Sequence, residues 1–136
     1  MDAYMENILD HWRNPRNSGI LKNADISFLD TNPLCGDEIK IQLKLNNDKV
    51  EDVMFTGRGC SISQAAADLL SNHIRGKSLD EIKRIRNDEM IQMLGIEIGP
   101  VRIKCALLGL FAVKKGIYLK EGKKMEDSDL NGETLN

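Results

Sequence analysis

The sequence has no excess of basic residues and no long apolar run, and each absence excludes a class of protein. Lys and Arg number 19 against 21 Asp and Glu, which gives a formal net charge of −2. Such a balance does not create the broad positive surface that nucleic-acid binding needs. No apolar stretch approaches the roughly 20 residues of a membrane-spanning helix. We therefore expect neither nucleic acid nor a membrane as a partner.

The N-terminus also lacks the basic start and apolar stretch of a secretory signal, because residues 1–10 are mixed and acidic. This predicts a cytoplasmic protein, whose thiols stay reduced. The length of 136 residues suits one domain with its own core. Residues 1–120 form the predicted domain. Residues 121–136 are polar without periodicity, and we expect them to be a mobile tail.

Cysteines are few, and none of them stands in a CxxC pair. The three cysteines are Cys35, Cys60 and Cys105. An odd number cannot pair completely within the chain, and the missing CxxC argues against a zinc ribbon and a thioredoxin-type redox site. A lone cysteine is more often a small core residue than a ligand. The surroundings of each cysteine must therefore decide its role.

Hydrophobic periodicity predicts a sheet followed by helices. Residues 38–45 alternate between charged or polar and apolar side chains, which indicates a strand with one buried face. Residues 50–56 predict its return strand and residues 26–28 a short strand before it, and one wet face favours an antiparallel sheet. Helical spacing follows the strands, and a capping box with Ser61 as N-cap and Gln64 three residues later predicts the first of these helices. The segments with helical spacing are 4–12, 62–74, 79–85, 89–94 and 101–114.

Each cysteine lies at a boundary between predicted elements. Cys35 precedes the long strand, Cys60 precedes a helix, and Cys105 lies about one turn into the last helix. Boundaries at one end of a sheet can converge, and Gly36 lets the chain bend so that Asp37 reaches the same centre as Cys35. Three thiolates and one carboxylate suit tetrahedral zinc. They suit a [2Fe–2S] cluster equally well, with two protein ligands for each iron.

Neighbouring residues support this interpretation of the cysteines. Gly57 and Gly59 allow positive φ and a close approach of the backbone to a bulky inorganic group. The positive end of the following helix favours a thiolate at Cys60. Lys104 favours a thiolate at Cys105. We expect the two histidines, His11 and His73, to act in packing or at the surface rather than as ligands.

Four segments of the chain resemble the IscU/NifU-type scaffold proteins of iron–sulfur cluster biogenesis. Four such matches in the same order are specific, although each alone is weak. The resemblance implies an α+β fold, with a three-stranded antiparallel sheet and helices packed on one face. It also implies that Cys35, Asp37, Cys60 and Cys105 form the cluster site. The matching segments are residues 4–17, residues 32–37, residues 57–63 together with 65–67, and residues 102–108.

The resemblance further implies partners and a mechanism. A pyridoxal-phosphate cysteine desulfurase (IscS/NifS-like) delivers sulfur as a persulfide, iron binds, and a [2Fe–2S] cluster forms and passes to acceptor apo-proteins. The pyridoxal phosphate belongs to the partner. We favour Cys105 as the first persulfide acceptor, with Cys35 as the alternative. The sequence leaves a homodimer open.

Three departures from the family pattern mark this chain as a minimal branch. Lys104 stands where many IscU-type members have histidine, as it does in the SufU-type branch, in which zinc occupies the site and the protein relays sulfur. The chain nevertheless lacks the SufU-type insertion between Cys60 and Cys105. A zinc-dependent sulfurtransferase is therefore the alternative function. Residues 98–102 read IGPVR where IscU-type members have LPPVK, which argues against recognition by a dedicated Hsp70 chaperone.

Overall fold

A computed structural model describes residues 3–126 and residue 129. Its elements follow the order that the hydrophobic pattern predicts: one N-terminal helix comes first, then the three strands, then the remaining helices. In chain order they are α1 Ala3–Arg13, β1 Ile26–Asn32, β2 Asp37–Asn46, β3 Lys49–Arg58, α2 Ser61–Ile74, α3 Leu79–Lys83, α4 Asn87–Leu94 and α5 Pro100–Glu121.

The three strands form one antiparallel sheet in the order β1-β2-β3. Its register pairs Asn32 with Asp37 across the first hairpin and Glu38 with Arg58 across the second. The β1–β2 turn and the exit from β3 therefore lie at the same end of the sheet. Cys35 and Cys60 lie at this end, in the β1–β2 turn and between β3 and α2.

Helices cover one face of the sheet, and the predicted α+β fold is confirmed. Along β2 the side chains of Ile39, Ile41 and Leu43 are fully buried, whereas Lys40 on the opposite face is exposed. α2 packs against β3, and α5 packs against β1, β2 and α2. Burial of this apolar face is the main force that holds the layers together.

Two predicted boundaries differ from the structure. Cys60, not Ser61, is the N-cap of α2, and the Ser61–Gln64 capping box does not form. The Gln64 side chain instead donates to the Gly59 carbonyl at 3.1 Å. α5 continues past Lys114 to Glu121, so the last helix is longer than the apolar pattern predicts.

The remaining predictions about the chain ends are tested only in part. Of the predicted tail, Glu121 ends α5 and residues 123–126 follow it without regular structure. Residues 127–128 and 130–136 lie outside the described residues, so the mobile tail stays a prediction. Within the described part of the chain, no helix combines the length and apolar character needed to cross a membrane.

Candidate metal-binding site

The β1–β2 turn presents Cys35. The Asn32 carbonyl accepts hydrogen bonds from the amides of Cys35 at 3.2 Å and Gly36 at 2.9 Å, which closes the turn. Gly36 has φ of +71°, in the left-handed region that other residues adopt only at a cost. The predicted bend at Gly36 is therefore confirmed. The bend lies between Cys35, which is in the turn, and Asp37, which is the first residue of β2.

The junction of β3 and α2 presents Cys60 and holds Asp37. Asp37 is 1% exposed, and its Oδ1 accepts the Cys60 backbone N–H at 2.8 Å. Its Oδ2 lies 3.5 Å from Cys60 Sγ. The start of α2 leaves amides unpaired within the helix, and the carboxylate compensates for one of them at the N-cap.

The N-terminal part of α5 brings in Cys105, whose Sγ lies 3.4 Å from Cys35 Sγ. All three cysteines are free thiols. Ligand atoms of Cys35, Asp37 and Cys105 all lie within 4.8 Å of one another, and Cys60 adjoins this group through Asp37. The structure thus brings the four sequence-predicted residues together at one end of the sheet. Three sulfurs and one carboxylate oxygen suit iron or zinc by their chemistry.

The sulfurs differ greatly in burial. Cys105 is 3% exposed, whereas Cys35 is open to solvent and Cys60 is intermediate. Burial raises the pKa of the Cys105 thiol, and its hydrogen bonds with Asp37, Cys35 and Cys60 raise that pKa further. In the metal-free chain these effects oppose the thiolate that Lys104 is expected to favour at Cys105. Lys104 is exposed, where water screens its charge.

The glycines before Cys60 serve protein packing in this structure. A Cβ on Gly59, where φ is +121°, would lie 2.0 Å from Asp37 Oδ1. A Cβ on Gly57 would lie 2.5 Å from Ile39 Cδ1 and 2.9 Å from the Glu38 carbonyl oxygen. The predicted positive φ holds for Gly59 and not for Gly57. At both glycines, the atoms that a Cβ would meet most closely belong to β2.

Sequence reasoning did not single out Asn32 as a functional residue. It is 7% exposed, and its side-chain amide donates to Cys35 Sγ at 2.9 Å. The Asn32-Pro33 dipeptide is a turn signal that could have drawn attention to it. His11 is buried and its Nδ1 lies 2.5 Å from Asp68 Oδ2, remote in sequence from the four candidate ligands. This contact joins α1 to α2, as the predicted packing role requires.

Residues 3–127 match the model of the NifU-like N-terminal domain family. The chain belongs to the NifU-like N-terminal domain family. Curated members of similar sequence carry two names. The iron–sulfur cluster assembly scaffold protein IscU of Escherichia coli (strain K12) is 39% identical over 126 residues, covering 90% of this chain and 97% of that protein. The zinc-dependent sulfurtransferase SufU of Bacillus subtilis (strain 168) is 38% identical over 136 residues, covering 88% and 92%.

Solved structures agree with this NifU-like fold. A putative iron–sulfur cluster assembly scaffold protein for the SUF system from Fervidobacterium islandicum AW-1 superposes with a TM-score of 0.72 at 27% identity, covering 85% of this chain and 99% of that one. The N-terminal part of a nitrogen-fixing NifU-like protein from Brucella abortus gives a TM-score of 0.72 at 23% identity, covering 88% and 94%. The chain is thus a member of the iron–sulfur cluster assembly scaffold family that includes IscU and SufU.

Proposed function

We propose that this chain is a scaffold on which [2Fe–2S] clusters are assembled and from which they pass to acceptor apo-proteins. The observation that carries the proposal is the convergence of Cys35, Asp37, Cys60 and Cys105 at one end of the sheet. Four donors supply two for each iron of a [2Fe–2S] cluster. The similarity to IscU, over nearly the whole chain, supports the same function.

Sulfur would come from a pyridoxal-phosphate cysteine desulfurase that carries it as a persulfide. A cysteine thiolate of the scaffold attacks the outer sulfur of that persulfide and forms a new S–S bond. The old S–S bond breaks, and the cysteine of the desulfurase leaves as a thiolate. Each transferred sulfur then takes two electrons from an electron-donor protein and becomes a bridging sulfide between two irons. The exchange requires contact between the two sulfurs, so the proteins must form a complex.

Two cysteines are candidates for the first persulfide. Sequence analysis favours Cys105, whereas exposure favours Cys35, because a bulky donor reaches an exposed sulfur more easily. Their sulfurs lie 3.4 Å apart, close enough for one to receive sulfur from the other. Mass spectrometry after brief reaction with desulfurase and cysteine separates the two. Persulfide that persists in Cys105→Ser and disappears in Cys35→Ser would assign the first step to Cys35.

A second candidate function is zinc-dependent sulfur transfer, in which the chain relays persulfide sulfur without building a cluster. The similarity to SufU supports it, and so does Lys104 at the position before the third cysteine. The same three sulfurs and one carboxylate would hold zinc in tetrahedral coordination. Under this alternative the chain would act as a sulfurtransferase rather than as a scaffold.

Anaerobic reconstitution distinguishes these functions. The chain is purified without oxygen and incubated with a cysteine desulfurase, cysteine, ferrous iron and a reductant. We expect two irons and two sulfides for each cluster, with visible absorption bands of thiolate-to-iron charge transfer. A colourless protein that holds one zinc, and takes up no iron and sulfide after zinc removal, would overturn the scaffold proposal. Failure to co-elute with a dimeric desulfurase would argue against both functions.

A further inference from the structure

Asn32 places a buried amide beside an exposed sulfur. It is the last residue of β1, and its side chain is on the sheet face that the helices cover, as are those of Ile26 and Phe28. At 7% exposure its amide must find hydrogen-bond partners within the protein, because an unpaired buried polar group is costly. The partners that it finds are in the turn that carries Cys35.

The partners fix which end of the amide faces the sulfur. The backbone N–H of Leu34 points at one end of the side chain at 3.3 Å, and an N–H can only donate. That end is therefore the oxygen Oδ1, in the i to i+2 arrangement of an Asx turn. The amide nitrogen Nδ2 is left facing Cys35 Sγ at 2.9 Å. The turn geometry thus requires an N–H donor at the sulfur.

An N–H donor withdraws electron density from the sulfur that accepts it. Hydrogen bonds to ligand sulfurs are one of the means by which a protein tunes a metal–thiolate centre. Cys35 is also the exposed member of the set, so packing alone restrains its side chain less than that of the buried Cys105. The Asn32 amide supplies the restraint that packing does not.

We propose that Asn32 is a positioning residue that aims the Cys35 sulfur into the site through an N–H···S hydrogen bond. For the metal-bound state, this inference rests on the proposed function, in which Cys35 is a ligand. For the metal-free chain it stands on the hydrogen bond alone. Cys35 thus has a partner outside the four candidate ligands, in addition to the Cys105 sulfur at 3.4 Å.

The test is Asn32→Asp. Aspartate keeps an oxygen for the Leu34 amide, so the Asx turn can form, but the ionised side chain has no N–H to offer the sulfur. The matched control is Thr31→Asp, which adds the same charge at an exposed neighbouring position. Thermal unfolding shows whether both variants fold.

Two readouts follow. In the metal-free protein, the rate of Cys35 alkylation by iodoacetamide at pH 7, measured by peptide mass spectrometry, should differ by about threefold or more between Asn32→Asp and Thr31→Asp, because the Nδ2–H donor no longer holds the sulfur in place. In the protein loaded with Co²⁺, the thiolate-to-cobalt absorption band should move to longer wavelength, because an electron-richer sulfur is oxidised more easily.

The outcomes separate this inference from the proposed function. Equal alkylation rates in Asn32→Asp and Thr31→Asp would overturn the proposal, whether or not the protein binds metal. A changed alkylation rate with an unmoved cobalt band would overturn the part that concerns the metal-bound sulfur. A wild-type protein that binds neither Co²⁺ nor a cluster would refute the proposed function, and the alkylation rates would still decide the role of Asn32.

Discussion

At the scale of single residues, Asp37 differs in kind from the other three candidate ligands, which are cysteines. A carboxylate is a harder ligand than a thiolate and exchanges more readily at iron. Its two oxygens also have different partners, since Oδ1 accepts the Cys60 amide at 2.8 Å and Oδ2 faces the Cys60 thiol at 3.5 Å. One oxygen therefore holds the start of α2, while the other faces a sulfur of the site.

We expect Asp37→Ala to retain the cluster and to release it more slowly to an apo-ferredoxin, because the ligand that an incoming thiolate would displace first is gone. Asp37→Cys should go further and trap the cluster with four thiolates. Asp37→Asn is the control for the structural role, since it keeps an oxygen that can accept the Cys60 amide. Transfer followed by visible absorption measures each rate. Wild-type rates in both Asp37→Ala and Asp37→Cys would mean that Asp37 does not govern release.

Gly59 determines whether Asp37 can occupy its position. Gly59→Ala would place a Cβ 2.0 Å from Asp37 Oδ1. We expect this variant to bind Co²⁺ about tenfold more weakly or worse, as a loss of about 1.4 kcal/mol predicts. Gly36→Ala is the matched control, because Gly36 also has positive φ but a Cβ there meets nothing within 4 Å. Competition with a chelator measures both affinities, and equal losses would show that backbone strain rather than the Asp37 clash is responsible.

At the scale of elements, the buried carboxylate of Asp68 on α2 fixes the N-terminal segment. It accepts hydrogen bonds from the backbone amides of Arg16 and Asn17, both at 2.9 Å, and from the Asn17 side chain at 3.0 Å. His11 of α1 lies 2.5 Å from its second oxygen. One side chain thus joins α1 and the segment that follows it to the helical layer.

Asp68→Ala should lower the free energy of unfolding by about 3–5 kcal/mol, because it leaves several buried donors without an acceptor. Urea denaturation followed by circular dichroism measures the loss. Asp10→Asn is the control, since Asp10 pairs with Arg16 at the surface, where ion pairs contribute little. Its unfolding midpoint should stay near that of the wild type. A small effect of Asp68→Ala would mean that water replaces the carboxylate.

The elements themselves were largely predictable, and the errors have physical causes. Alternation along β2 is strong because one face of the sheet is covered and the other is wet. α2 starts one residue earlier than the capping pattern predicts, because the Asp37 carboxylate, which is distant in sequence, binds the Cys60 amide in place of a local cap. The apolar pattern predicts that α5 ends at Lys114, where a lysine suggests solvent, but the helix continues to Glu121.

At the scale of the whole molecule, the side chain of Lys114 on α5 is fully buried against the segment after α3. Its Nζ donates to the Ile85 carbonyl at 2.5 Å, and its side chain is 0% exposed. Burial lowers the pKa of Lys114 to about 8, although Glu89 and Asp129 act in the opposite direction. The folded protein therefore carries a protonated amine inside its core at neutral pH.

This burial predicts a pH dependence of global stability. Between about pH 8 and pH 10.5 the unfolded chain binds more protons at Lys114 than the folded chain does, so the free energy of unfolding rises with pH in that interval. Relative to Lys114→Met, the wild type should gain roughly 3 kcal/mol across the interval. Urea denaturation of both proteins at several pH values tests it. A difference between them that does not change with pH would contradict the prediction.

The convergence of the candidate ligands was predictable from the sequence, whereas their environment was not. Element boundaries indicated that Cys35, Cys60 and Cys105 would converge, because boundaries at one sheet end are neighbours. The burial of Cys105 depends on how α5 packs across the sheet, which no local pattern encodes. The Asn32 hydrogen bond depends on the rotamer of a side chain within a turn, which the sequence does not specify either.

The unequal burial of the sulfurs gives the site a front and a back. Cys35 stands at the front, open to solvent, while Cys105 is only 3% exposed behind it. A chelator or an acceptor thiol arriving from solvent meets the front first and reaches Cys105 last. A metal ion or cluster held there would therefore lose its bond to the Cys35 sulfur before its bond to the Cys105 sulfur.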